Sequence, residues 1–311
     1  MGVTTETSEF TYLPLQAQSI GAPVPPVERL TLALPDGREM SALRYGENAP
    51  TVTLLHGAGL NAHTWDTTVL HLRQPALVID LAGHGDSSWR DDADYSAHAL
   101  APDIVFALRK WTSQPQVLVG QSLGGLTAAA VASTHPELVR ELITVDITPG
   151  IDTSGGPDAL RAFYEGPTDF ATRDELVDRA MALGFGGTRP ETERGVFLNT
   201  RVRPDGRIEW KHHFAHLAAQ ALAVRAPASA DDPASTRAIL DTGGWDDLAA
   251  VTVPITLVRA SRGFVTESDA DDLQHRVPAA RVVTIDATHN VQETAPAELA
   301  ELIRATTSLA A

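Results

Sequence analysis

Between residues 27 and 45 apolar and polar positions alternate. "VERLTLAL" and "REMSALRY" mix apolar and polar residues in broad alternation, with "PDG" between them. Period-two alternation broken by Pro-Asp-Gly predicts a hairpin of two antiparallel strands. From residue 51 the pattern becomes one of short, unbroken apolar runs: "TVTLL", "ALVID", "QVLV", "ELITV", then "PITLV" and "ARVVTID" near the C-terminus. Such β-branched runs, separated by stretches of helical period, predict strands buried on both faces. That is a mostly parallel sheet with helices on either side, an α/β fold. "PAELAELIRATTSL" follows the last run as an amphipathic helix.

Between about Gly150 and Trp245 the strand rhythm stops. "RDELVDRAMAL" and "HHFAHLAAQAL" have helical period, and the rest is loop rich in Gly, Pro and Asp. The pattern predicts a mainly helical insertion, residues 150–245, inside a core made of 27–149 and 246–311. Residues 1–26 are polar and punctuated by Pro14, Pro23, Pro25 and Pro26, which predicts an arm that is flexible or draped.

Composition narrows the function. Apolar residues are 43% and charged residues 21%, a globular balance. No apolar run nears the roughly 18 residues that span a membrane. The net charge is −16, and Lys110 and Lys211 are the only lysines. With no basic stripe for phosphates, nucleic acid is not an expected partner; a small molecule is. The absence of cysteine removes disulfides, thiol catalysis and cysteine-bound metals together. No basic-then-apolar leader is readable, so the cytoplasm is the expected compartment.

Chemistry enters at "VLVGQSLGGL". Gly120-Gln121-Ser122-Leu123-Gly124 matches G-x-S-x-G. The motif is short, so its setting decides: a buried strand before it, a helix after it. "QVLV" and "LTAAAVASTHPELV" supply both. Such a turn forces Ser122 into an unfavourable backbone conformation and lifts its hydroxyl off the sheet. Side chains at the flanking glycines would strike neighbouring strands. A helix N-terminus behind the serine favours negative charge.

With these residues in place the chain resembles the α/β-hydrolase fold superfamily, in its cap-bearing, serine-nucleophile form. The resemblance runs from about Val27 onward. It rests on His56-Gly57-Ala58-Gly59 after the third strand, "DLAGHGDS" (80–87) after the fourth, the Ser122 elbow after the fifth, and a histidine after the last. It implies an oxyanion hole from the backbone N–H groups of Leu123 and Ala58, with His56 bracing that loop or facing the pocket. Serine at the elbow argues against the dehalogenase and epoxide-hydrolase relatives, which use aspartate there.

Among eleven histidines, His289 in "VVTIDATHNVQETAP" follows the final strand, on the edge where all parallel strands end, and is the candidate base. The acid is less plain. The resemblance puts it a few residues beyond an "LVRG"-like run, but "LVRASRGFVTESD" has no carboxylate near Gly263. Glu267 and Asp269 read as a helix start. Asp146, at the end of the sixth strand, is the preferred candidate; the others, or a dyad without an acid, stand as alternatives. In the insertion, Trp210, His212 and His213 are candidates to line the pocket or to pack the cap, and Trp65 to floor the pocket or fill the core. His212, His213 and His216 have no further ligand pattern near them, so no metal is expected.

These readings converge on a cofactor-independent hydrolase that attacks a small ester or lactone through Ser122, with amides and C–C bonds as further options. A lyase or cofactor-free oxygenase on the same scaffold, or a receptor with a hydrolase-like pocket, are the alternatives.

Overall fold

The alternating segments form the expected hairpin: β1 (Val27–Ala33) pairs antiparallel with β2 (Glu39–Tyr45). The structure, a computed structural model, describes residues 7–151, 166–183, 187–217, 219 and 243–308. Each apolar run is a strand: β3 (Val52–Leu55), β4 (Ala76–Asp80), β5 (Gln116–Gln121) and β6 (Val139–Val145). Near the C-terminus β10 (Ile255–Arg262) and β11 (Arg281–Thr288) complete an eight-stranded sheet of order β1-β2-β4-β3-β5-β6-β10-β11. All pairings from β4 to β11 are parallel.

Every residue of β3, β4 and β5 is buried, because helices cover both faces. On one face Leu77, Ile79, Leu118 and Leu257 pack against the helices Ala97–Trp111 and Leu123–Thr134. On the other, Leu54, Val78, Val119 and Ile143 pack against Asp66–Leu72 and Pro296–Ser308. From β3 the chain steps to β4 on one side and to β5 on the other. The carboxyl ends of β3 and β5 therefore flank a topological switch point, where open α/β sheets form their crevice.

The described part of the insertion holds the helices Arg173–Ala182 and Arg189–Asn199, further helical residues at 214–217, and a small antiparallel sheet. Its strands are β7 (Asp169–Phe170), β8 (Thr200–Val202) and β9 (Ile208–Trp210), in the order β7-β9-β8. The small sheet stands beside the helices of an insertion read from the sequence as mainly helical. Phe170, Leu176, Val196, Ile208 and Trp210 form a separate apolar cluster beneath it. Much of the remaining insertion, including the end of "HHFAHLAAQAL", lies outside the described residues.

The first segment corrects the expectation of a flexible arm. From Glu9 it forms a 3-10 turn and a helix, Leu13–Ser19, with Leu13 and Ala17 buried in the core. The tether is ionic. Glu9 accepts hydrogen bonds from Arg29 Nε (2.9 Å) and faces His63 Nε2 at 3.1 Å. Arg29 Nη1 reaches Asp80 (2.8 Å), and His63 Nδ1 reaches Asp66 (3.0 Å). Burial by itself would raise the Glu9 carboxyl; hydrogen bonds from His63 and Arg29 outweigh it and hold the group at about 2. Burial would lower His63, but the charge and hydrogen bond of Asp66 raise it to about 9.

This network gives a pH signature. A histidine raised by folding stabilises the fold fully below its ordinary value near 6.5 and loses that contribution as pH climbs through about 9. Glu9 contributes above the usual carboxylate range and loses its share as pH falls towards about 2. Urea unfolding should therefore give lower stability at pH 9.5 than at pH 6. His63→Gln, which cannot titrate, should flatten that decline; an unchanged slope would detach His63 from it.

Candidate active site

Strand β5 runs into helix Leu123–Thr134 through Ser122, whose backbone sits at φ 52°, ψ −123°. A non-glycine residue there is strained and persists only where its surroundings hold it. Ser122 N–H donates to Val145 O (3.1 Å), and Ser122 O accepts from Gly125 N–H (2.7 Å). The glycines make room for this. A Cβ on Gly120 would lie 2.1 Å from Gly124 O, and one on Gly124 would lie 2.5 Å from Leu55 O. Both obstacles are backbone and cannot swing aside. Gly120→Ala is therefore expected to cost about 3 kcal/mol or more, read as a lower urea midpoint. An unchanged midpoint would mean that the turn is not sterically closed.

The loop after β3 rests on this turn. A Cβ on Gly57 would approach Ser122 Cβ to 3.1 Å and Gln121 Oε1 to 2.2 Å. Ala58 is next in that loop, and Leu123 is the first residue of the helix, where N–H groups have no intrahelical acceptor. His56 does not face a pocket. It is fully buried, accepts Leu81 N–H at Nε2 (3.0 Å) and donates from Nδ1 to Gly57 O (2.8 Å). Burial holds its pKa below the usual histidine value, so the ring is a neutral brace between the loops after β3 and β4.

His289 comes from the end of β11, and its Nδ1 lies 2.8 Å from Asp146 Oδ2. Asp146 is fully buried, with a left-handed backbone at φ 49°. Its carboxylate accepts backbone N–H bonds from Phe264 (2.7 Å), Ala260 (3.0 Å) and Val265 (3.4 Å). Only a donor can face that oxygen, so the neutral ring carries its proton on Nδ1 and leaves Nε2 bare. Phe264 stacks on the imidazole, centroids 3.8 Å apart.

The missing carboxylate near Gly263 has a geometric answer. A Cβ on Gly263 would fall 2.1 Å from Asp146 Oδ2. The carboxylate of β6 fills the space that a side chain at the end of β10 would enter. Glu267 is 87% exposed and reaches only Arg259; Asp269 caps its own helix through Thr266. Neither meets the ring.

Ser122 and His289 share this edge, and Gln121 Nε2 reaches His289 O (3.3 Å). The serine hydroxyl and the ring are not yet joined by a hydrogen bond; such bonds often close only when substrate binds. The chain from residue 50 to residue 296 matches the family model described as alpha/beta hydrolase fold. The chain belongs to the alpha/beta hydrolase family. "Esterase Rv0045c" of Mycobacterium tuberculosis is 35% identical to this hydrolase over 311 residues, covering 96% of each. A crystal structure of that esterase superimposes with a TM-score of 0.76 over 98% of this chain and 99% of its own. "Lipase LipV" of the same organism is 24% identical over 86% of this chain and 97% of its own.

The other candidates fall elsewhere. Trp65 is fully buried in the core cluster against Asp66–Leu72. Trp210 and His212 are buried in the insertion, their rings 5.0 Å apart, and burial pushes His212 down to about 3. His213 is half-buried and joins insertion to core. It stacks on Trp89 at 4.4 Å, accepts from Tyr95 Oη at Nδ1 (2.7 Å), and donates its N–H to Gly83 O (2.8 Å). Among the described residues no group of three or more His, Cys, Asp or Glu could hold a metal ion, and no helix is long and apolar enough to cross a membrane. Sequence reasoning passed over Phe264 and Gln121. The signal for Phe264 is its position beside Gly263, in the slot where the resemblance places the acid.

Proposed function

We propose that this hydrolase cleaves small carboxylic esters or lactones through an acyl-enzyme on Ser122, without a cofactor. The observation that carries the reading is a strained serine sharing one sheet edge with a histidine hydrogen-bonded to a buried carboxylate. In the proposed cycle His289 Nε2 takes the hydroxyl proton as Ser122 Oγ attacks the carbonyl carbon. The N–H groups of Leu123 and Ala58 hold the oxyanion, each worth about 3 kcal/mol. The intermediate then collapses, and the alcohol leaves with the proton from His289. A water deprotonated by the same ring attacks the acyl carbon, releasing the acid and restoring Ser122. Asp146 keeps the ring in the tautomer that both halves need.

The similar proteins named esterase and lipase support ester bonds over amide or C–C bonds. A lactone is an internal ester and asks for the same steps. The test is release of p-nitrophenol from short-chain esters, together with labelling of the protein by a fluorophosphonate. Turnover and a single adduct on Ser122, located by peptide mass spectrometry, are expected. Ester binding with neither turnover nor adduct would point to the receptor alternative and overturn the reading.

A further inference from the structure

Gln121, the residue before the serine, touches more of the candidate machinery than any part assigned to it so far. Its side chain leaves the end of β5 on the side opposite Gly120 and is fully buried. Nε2 donates to His289 O (3.3 Å) and to Asn290 Oδ1 (3.4 Å), both in the loop that follows β11. These are long, weak bonds. Both partners are acceptors, which fixes which end of the amide is nitrogen. The oxygen end lies against Gly57, where even a methyl group would overlap it, and it has no hydrogen-bond partner. One carboxamide is thus wedged between the loop of the base, the strand of the nucleophile and the loop that precedes Ala58.

The wedge has a mechanical consequence. Asp146 and Phe264 fix the orientation of the His289 ring. That anchor reaches Ser122 only by way of β6, through Val145 O, whereas Gln121 joins the backbone of residue 289 to the end of β5 directly. We propose that Gln121 is a positioning residue: it clips the His289 loop to the strand carrying Ser122 and so sets the distance over which the proton must pass. The inference rests on the serine-hydrolase reading above. Both side-chain bonds of this buried amide go to the loop of the base, a duty that an apolar side chain of the same size could not perform.

The test uses the full chain, with three readouts: the rate of fluorophosphonate labelling at Ser122, kcat and KM for a p-nitrophenyl ester, and the melting temperature. Gln121→Met keeps the volume and removes both bonds. It should lower labelling rate and kcat together by about ten- to a hundredfold, with KM nearly unchanged. In a His289→Ala background the same substitution should change the residual labelling rate very little, because the partner through which it acts is gone. A purely structural residue would cost the same factor in both backgrounds, and that result overturns the proposal. So does a folded Met variant that reacts at the wild-type rate. Should the Met variant not fold, Gln121→Glu decides. It sets a carboxylate oxygen against two acceptors, so a rate like the wild type's would overturn the proposal and a loss at least as large as that expected for Met would support it. A wild-type chain that takes no label brings down the serine-hydrolase reading first, and this inference with it.

Discussion

Ser122→Ala is expected to lower kcat for a p-nitrophenyl ester by about a million-fold, with KM little changed and fluorophosphonate labelling abolished. The substitution removes one oxygen from a nearly buried side chain and leaves the turn intact, since Val145 O, Gly125 N–H and the flanking glycines hold it through the backbone. Alanine at φ 52° is no more strained than serine. The loss is therefore one of chemistry, and the melting temperature should barely move. His289→Ala should cost nearly as much, because an undeprotonated hydroxyl is a poor nucleophile. The double variant should be no worse than either single one, since a nucleophile without its base and a base without its nucleophile are equally idle. Turnover of Ser122→Ala within tenfold of the wild type would move the attacking group elsewhere, to a water or to another side chain.

How much of this was legible in the chain follows from the physics of each element. The parallel strands could be read because burial on both faces leaves unbroken apolar runs, and their order put Ser122 and His289 on one edge before any distance was known. The strands of the insertion could not. At two and three residues, β7, β8 and β9 are too short for an alternation to register, and their cluster around Trp210 draws on residues forty apart. The first segment was misread for a related reason. Its helix is seven residues long and stands on two buried apolar side chains and an ion network whose partners lie far along the chain. Trp65, Trp210 and His212 stayed open between pocket and core because large aromatic and imidazole groups suit both, and sequence has no coordinate to separate the two. Gly263 is the instructive case. The sequence had an empty slot and, 117 positions earlier, a spare carboxylate; only the pairing of β6 with β10 brings them into one space.

That shared space makes Asp146→Asn the second large prediction: kcat should fall by about ten-thousand-fold, with KM little affected. Four hydrogens converge on the two carboxylate oxygens, three from the backbone of Ala260, Phe264 and Val265 and one from His289 Nδ1. An amide has only one oxygen to offer. If it turns that oxygen to Ala260 and Val265, its NH2 meets the Phe264 N–H, a donor against a donor in a buried site, and faces the imidazole, which must then accept at Nδ1 and carry its proton on Nε2. Such a ring cannot take a proton from Ser122. If it turns the oxygen to the ring, the NH2 meets the Ala260 N–H in a fully buried site, and stability should drop by about 1–3 kcal/mol. Either arrangement harms the protein, but the first silences the base, and the folded fraction measured by circular dichroism separates the two losses. Glu267→Gln and Asp269→Asn serve as the comparison. One side chain is exposed and the other is occupied by its helix cap, so both variants should turn over within a few-fold of the wild type. A nearly active Asp146→Asn beside a dead Asp269→Asn would transfer the acid to the end of β10. If all three stayed active, His289 would be working without a carboxylate, and the buried charge at residue 146 would have only the backbone of β10 and the turn after it to hold.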